Sequence, residues 1–224
     1  LCLELGINTF DHADIYGDGK VEEHFGKIIQ TKSFKREDIV LFSKCGIKHS
    51  ANGYVRYYDT SREHILNSVD ESLKRLKTDY LDIFLLHHSD SLADPEETAG
   101  ALAEVVKSGK VKHIGVANFS VFQHQLLASY LRIPIVTNHI ELNLMNTSAI
   151  EDGRIDFIKQ QFSKPLAWAP LAGGQILNGK DEKSIRLRAK LDQIGKKYDA
   201  NVEQTAVAWL MNLGTLPIIG SLSE

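Results

Sequence analysis

The sequence predicts a parallel α/β protein of the (β/α)8 barrel class, and three observations carry that expectation. Seven short apolar segments are separated by amphipathic helical patterns, the alternation of an open doubly wound sheet or a barrel. The clearest segment, residues 80–88, is apolar on both faces, as a parallel strand covered on both sides is. No Gly-x-Gly-x-x-Gly joins a strand to a helix, so the fingerprint of the open dinucleotide-binding sheet is missing and the barrel is favoured.

Such a barrel typically takes about 250 residues, and this chain has 224. Residues 1–6 read as the last turn of a helix closed by Gly6. The expectation is therefore a single barrel domain over residues 1–224, incomplete because its first strand and its C-terminal segment are lacking.

The remaining elements follow in order. Residues 7–10 read as a strand and Gly17-Asp18-Gly19 as a turn, which puts Asp11 and Tyr16 at a strand end and in the loop after it. Residues 21–30 form a helix with Phe25, Ile28 and Ile29 on one side. Residues 38–46 are a strand that closes on Lys44. A long loop rich in His, Tyr and Gly spans residues 46–59, and Tyr54, Tyr57 and Tyr58 suggest an aromatic-lined mouth. Thr60 with Glu63 makes a capping box before a helix striped by Ile65, Val69, Leu73 and Leu76.

Residues 80–88 run to a His87-His88 pair. Asp94 caps the next helix with Pro95 at its first position, and Gly109 closes it after Leu102, Val105 and Val106. Strand 112–119, helix 121–130, strand 135–141, helix 154–162 and strand 166–171 continue the alternation. Ala172-Gly173-Gly174 is a small-residue turn, helices 185–198 and 202–212 follow, and residues 217–220 make the last strand.

With 43% hydrophobic and 25% charged residues the chain falls near the average for globular domains, which argues against disordered and fibrous classes. A formal net charge of -3 gives no reason to expect a nucleic-acid partner. The apolar runs are too short to span a bilayer and nothing reads as a signal peptide, so a soluble, cytoplasmic protein without a membrane partner is expected. Cys2 and Cys45 form no CxxC and read as packed thiols.

Parallel barrels open all strand C-termini on one face, so Asp11, Tyr16, Lys44 and His87 are expected to share one mouth. A phenol of ordinary pKa, about 10, is a poor proton donor at neutral pH unless a cation beside it favours the phenolate. Lys44 would be that cation, Asp11 would hold Lys44 charged and in place, and His87 would hydrogen-bond a bound carbonyl.

The stretches Phe10-Asp11-His12-Ala13-Asp14-Ile15-Tyr16-Gly17, Ser43-Lys44, residues 79–87, Gly115-Val116-Ala117-Asn118-Phe119, Thr137-Asn138-His139-Ile140-Glu141 and Trp168-Ala169-Pro170-Leu171 together resemble the aldo-keto reductase family. The likeness runs from Leu1 to Ser221 and is strongest to its bacterial-type branch, with a Ser-Lys-Cys-Gly strand end and an Ala-Gly-Gly turn.

The resemblance implies an NADPH-dependent oxidoreductase that reduces a small-molecule aldehyde or ketone, with Tyr16 donating the proton, Lys44 and Asp11 tuning it and His87 orienting the substrate. Carried over by position, Asn118 would hold the nicotinamide carboxamide, with His139 beside it, and Trp168 would stack on the ring. Backbone around Ala169, Leu171, Gly173 and Gly174 would approach the pyrophosphate. Ser221 falls where the family binds the adenosine end. His139 stands where the family usually has Gln, and Ala117 where it often has Ser.

Two rival readings use other classes of function. The chain could be a cofactor-binding regulatory subunit, or an inactive fragment, of the same fold. A metal-dependent barrel hydrolase would use His12, His87, His88 and Asp residues, but no His-x-His strand or HExxH helix is present. No metal site is expected.

Overall fold

The structure is a computed structural model that describes residues 1–50, 53 and 55–220. They fall into two compact units, Leu1–Val136 and the part from Thr137 onwards. In the first unit the chain runs β1 (Thr9–Asp11), α1 (Lys20–Gln30), β2 (Val40–Cys45), β3 (Ile47–His49), β4 (Arg56–Tyr58), α2 (Arg62–Leu76), β5 (Leu81–Leu86), α3 (Pro95–Lys107), β6 (Val111–Ala117) and α4 (Val121–Tyr130). Strand β7 (Ile135–Glu141) crosses the boundary.

Strands β1, β2, β5 and β6 lie side by side in that order, all parallel. Parallel neighbours put every strand end on the same edge, and the register aligns Asp11 with Phe42 and Lys44 with Leu85. Phe84, Leu41, Leu81, Ile65, Leu76 and Leu102 are fully buried between sheet and helices. Burying each such side chain stabilises by about 1.5–3 kcal/mol.

The second unit holds α5 (Ser148–Glu151), α6 (Arg154–Gln160), β8 (Leu166–Trp168), α7 (Gln175–Asn178), α8 (Glu182–Gly195), α9 (Val202–Asn212) and β9 (Leu216–Pro217). Here β7 pairs β8 and β8 pairs β9, again parallel. One apolar cluster joins Ile140, Leu142, Ile155, Ile158 and Leu210, and another joins Ile176, Leu191 and Ala206. Among the described residues, no helix is long and apolar enough to cross a membrane.

Capping chemistry sets several helix starts. The Asp94 side chain accepts from Glu96 N at 2.9 Å, with Pro95 following at the first position. Ser120 with Gln123 and Asn201 with Gln204 form complete capping boxes. At α2 the cap is Ser61, which accepts from His64 N, rather than Thr60. Thr60 is buried, and its carbonyl accepts from Thr98 Oγ1.

Three further expectations are corrected. The loop 46–59 contains an antiparallel hairpin, β3 with β4, pairing His49 with Arg56 and Ile47 with Tyr58. Helix α1 buries Glu22 and Gly26, while Ile28 is exposed. A Cβ on Gly26 would run into the backbone of Arg75 and Leu76, so glycine is what lets α1 lie against α2. Cys45 is buried as expected, but Cys2 is exposed.

Candidate active site

All four residues expected at the barrel mouth lie in the first unit, and the parallel edge brings them together. Asp11 ends β1, Lys44 is the penultimate residue of β2, His87 follows β5, and Tyr16 sits in the β1–α1 loop. Lys44 is 2% exposed, and its ammonium is held from two sides. It donates to Asp11 Oδ2 at 2.7 Å and to the His12 carbonyl at 2.7 Å. Tyr16 OH lies 3.4 Å from the same nitrogen, and Nζ is 4.9 Å from the centre of the phenol ring. Tyr16 itself is 38% exposed, so its side chain is open to a ligand where that of Lys44 is closed.

His87 meets the Tyr16 ring edge-on, with centroids 5.8 Å apart. Burial, with the charges of Lys44 and Arg56 and the neighbouring His88, lowers its pKa to about 3, so the imidazole is neutral at physiological pH. Its Nδ1 is buried and has no hydrogen-bond partner among the described residues. Burial raises the Asp11 carboxyl above its ordinary range, and the Lys44 charge opposes that shift. A carboxylate in direct contact with an ammonium shares its proton-binding behaviour with that partner, so Asp11 and Lys44 act as one unit.

Sequence reasoning missed the layer beneath. Glu22 is fully buried; it accepts from Ser43 Oγ at 2.6 Å and from Arg75 Nε at 2.7 Å. Ser43 immediately precedes Lys44, so α1, β2 and α2 are tied at the residue that sets the ammonium. A Glu in the first turn of an amphipathic helix ordinarily reads as a dipole partner, and only the long-range pairing reveals this role. Asp14 is the other omission. Its pKa is raised to about 7 by burial first and by the nearby Glu22 charge second, and its Oδ1 has no hydrogen-bond partner among the described residues. His12 packs on Phe25 at 4.6 Å with its pKa lowered to about 4, chiefly by burial.

The expected nucleotide-binding residues divide between the units. Asn118, just past β6, adopts a left-handed φ of 62° and donates from Nδ2 to the His87 carbonyl at 3.1 Å. In the second unit His139 is buried in β7, and Trp168 ends β8 half-buried. Ala169 is left-handed at φ 51°, and its carbonyl accepts from Asn143 Nδ2 at 3.1 Å. Leu171 leads into a short turn in which Gly173 and Gly174 take φ of 61° and 89°.

A Cβ at Gly173 would meet nothing within 4 Å. The open, left-handed backbone after β8 therefore fits the close approach that a pyrophosphate requires. Ser221 lies outside the described residues, as does Tyr54 of the expected aromatic mouth. Of its two companions, Tyr57 is exposed, and Tyr58 stacks on His88 with centroids 4.2 Å apart.

Comparison with known proteins gives the family and the fold. The sequence profile of the Aldo/keto reductase family matches residues 1–224. A 6-dehydroglucose reductase of Agrobacterium fabrum is 37% identical, the match covering 98% of this chain and 75% of that protein. The crystal structure of a thermostable aldo-keto reductase, Tm1743, in complex with the inhibitor epalrestat superposes with a TM-score of 0.84 at 31% identity, over 99% of this chain and 75% of that one. An aldo/keto reductase from Klebsiella pneumoniae in complex with NADP and acetate superposes with a TM-score of 0.79 at 26% identity, over 99% and 72%.

Proposed function

The chain belongs to the Aldo/keto reductase family, and we propose that it reduces an aldehyde or ketone to the alcohol with NADPH, Tyr16 acting as proton donor. The observation that carries this reading is the ammonium of Lys44, fixed at 2.7 Å by Asp11 and 3.4 Å from the Tyr16 hydroxyl. When bound, NADPH supplies the hydride for the carbonyl carbon. Asn118 would hold its nicotinamide carboxamide; by the family's pattern the other cofactor positions are His139, Trp168 and the backbone at Ala169, Leu171, Gly173 and Gly174.

This chain's residues manage the proton. As negative charge grows on the carbonyl oxygen, the Tyr16 O–H bond breaks and its proton completes the alcohol. The phenolate left behind faces the Lys44 charge, which needs no rearrangement to stabilise it. Asp11 and the His12 carbonyl hold that nitrogen in place, with Lys44 almost closed to solvent. Neutral His87 can donate a hydrogen bond from Nε2 to the same carbonyl oxygen without competing for the proton. The likeness to a relative named as a 6-dehydroglucose reductase supports an aldehyde-bearing substrate.

The test is consumption of NADPH by the wild-type protein with a reactive aldehyde such as 4-nitrobenzaldehyde. Turnover with formation of the alcohol is expected. Tight NADPH binding with no turnover would instead favour the regulatory-subunit reading.

A further inference from the structure

Resting on the reductase reading, we propose that Arg56 gives the substrate mouth a cationic rim, and that the preferred substrates are carbonyl compounds bearing a carboxylate or phosphate. The hairpin starts two residues after β2, and its closing hydrogen bond, Asp59 N to the Gly46 carbonyl at 3.0 Å, fixes it beside Lys44. Gly46 takes a φ of 107°, a turn that a side chain would strain. From there a ladder leads to the site. The Arg56 guanidinium lies 5.7 Å from the Tyr58 ring centre, and the Tyr58 ring stacks at 4.2 Å on His88, the neighbour of His87.

Arg56 is exposed, and among the described residues no carboxylate pairs with it. The only described hydrogen bond of its side chain is a long one, 3.5 Å to Tyr58 OH. The other cation of the hairpin, Lys48, is already engaged with Asp59 at 3.5 Å. The charge of Arg56 reaches His87, where it helps to keep the imidazole neutral. A planar guanidinium with five donors, braced by an aromatic ring, is suited to bidentate capture of a carboxylate or phosphate. A substrate whose carbonyl meets Tyr16 and His87 would extend its anionic end along the stacked rings to Arg56.

The experiment compares 4-carboxybenzaldehyde with 4-nitrobenzaldehyde, rings of like shape that differ in charge, using wild type, Arg56→Gln, Arg56→Lys and Lys48→Gln. The readout is the ratio of kcat/KM for the two aldehydes. Arg56→Gln should lower that ratio about five- to tenfold, a size suited to one partly exposed charge pair. The loss should fall on KM for the carboxylate, Arg56→Lys should restore part of it, and added salt should shrink the wild-type ratio but not that of Arg56→Gln. Lys48→Gln should leave the ratio alone.

A ratio unchanged in Arg56→Gln, or lowered equally in Lys48→Gln, would overturn the proposal while leaving the reductase intact. Failure of wild type to reduce either aldehyde would overturn the reductase reading itself, and this one with it.

Discussion

Lys44 is a cation almost closed to solvent, and its neighbours explain why it is tolerated. Two oxygens at 2.7 Å satisfy it, and the third direction points to Tyr16. Asp14, two residues before Tyr16, is the opposite case: a carboxyl half-buried near Glu22 with one oxygen unpartnered. Its folded pKa, about 7, exceeds the ordinary 3.8, so the folded state holds its proton longer than the unfolded state does. Its contribution to stability is therefore whole below about pH 3.8 and is lost as pH rises through 7. Asp14→Asn keeps the shape without the charge. At pH 8 it should raise stability by about 1–3 kcal/mol, and at pH 4 by almost nothing, as read from urea midpoints at the two pH values.

At the scale of elements, the tie between α1, β2 and α2 at Glu22 is the feature with the largest expected cost. Glu22→Gln removes the charge facing Arg75 in a buried setting, and such broken pairs cost about 3–5 kcal/mol when fully enclosed. Because the Arg75 side chain is 19% exposed, about 2–3 kcal/mol is expected in urea denaturation, with a lower kcat from a displaced Lys44. A helix cap should matter less. Asn201→Ala, which opens the capping box of α9 at 2.8 and 2.9 Å, should cost about 1 kcal/mol.

Elements governed by local chemistry were also the legible ones. Helices 121–130 and 202–212 and strand 135–141 occur with the bounds the sequence suggests, because capping residues and apolar periodicity mark them. The hairpin β3–β4 was not legible: three-residue strands carry too little alternation, and their pairing depends on Gly46 and Asp59 meeting. Glu22 escaped for a related reason, since a charged residue on an inward face contradicts the pattern until its partners Ser43 and Arg75 are placed. For α1 the apolar stripe was misjudged at Ile28, because Glu22 and Gly26 occupy the face turned to α2.

At the scale of the whole molecule, the first unit concentrates groups whose titration opposes folding in acid. His12 and His87 are lowered to about 4 and about 3, and His64 and His124 are lowered as well, in each case chiefly by burial. Between about pH 4 and 6.5 the unfolded chain thus binds more protons at these four positions, and stability rises with pH across that window. Asp11 and Asp14, raised by burial, work in the other direction, so the histidine contribution is read best once the Asp14 charge is gone. In Asp14→Asn, stability at pH 5 should fall below that at pH 7 by about 1–3 kcal/mol, which denaturant midpoints at the two values will report.

The likeness over the whole chain to aldo-keto reductases and the convergence of four side chains on one strand edge meet in a single claim, that Tyr16 donates the proton and Lys44 makes it able to. The most direct measurement is single-turnover reduction of 4-nitrobenzaldehyde by wild type, Tyr16→Phe and Lys44→Met, each preloaded with NADPH, with NADPH binding followed separately by fluorescence. Both variants should bind NADPH, and the loss of a general acid should slow Tyr16→Phe by about 10²–10⁴-fold, with Lys44→Met similarly impaired. A Tyr16→Phe protein that reduces the aldehyde at the wild-type rate would contradict the account.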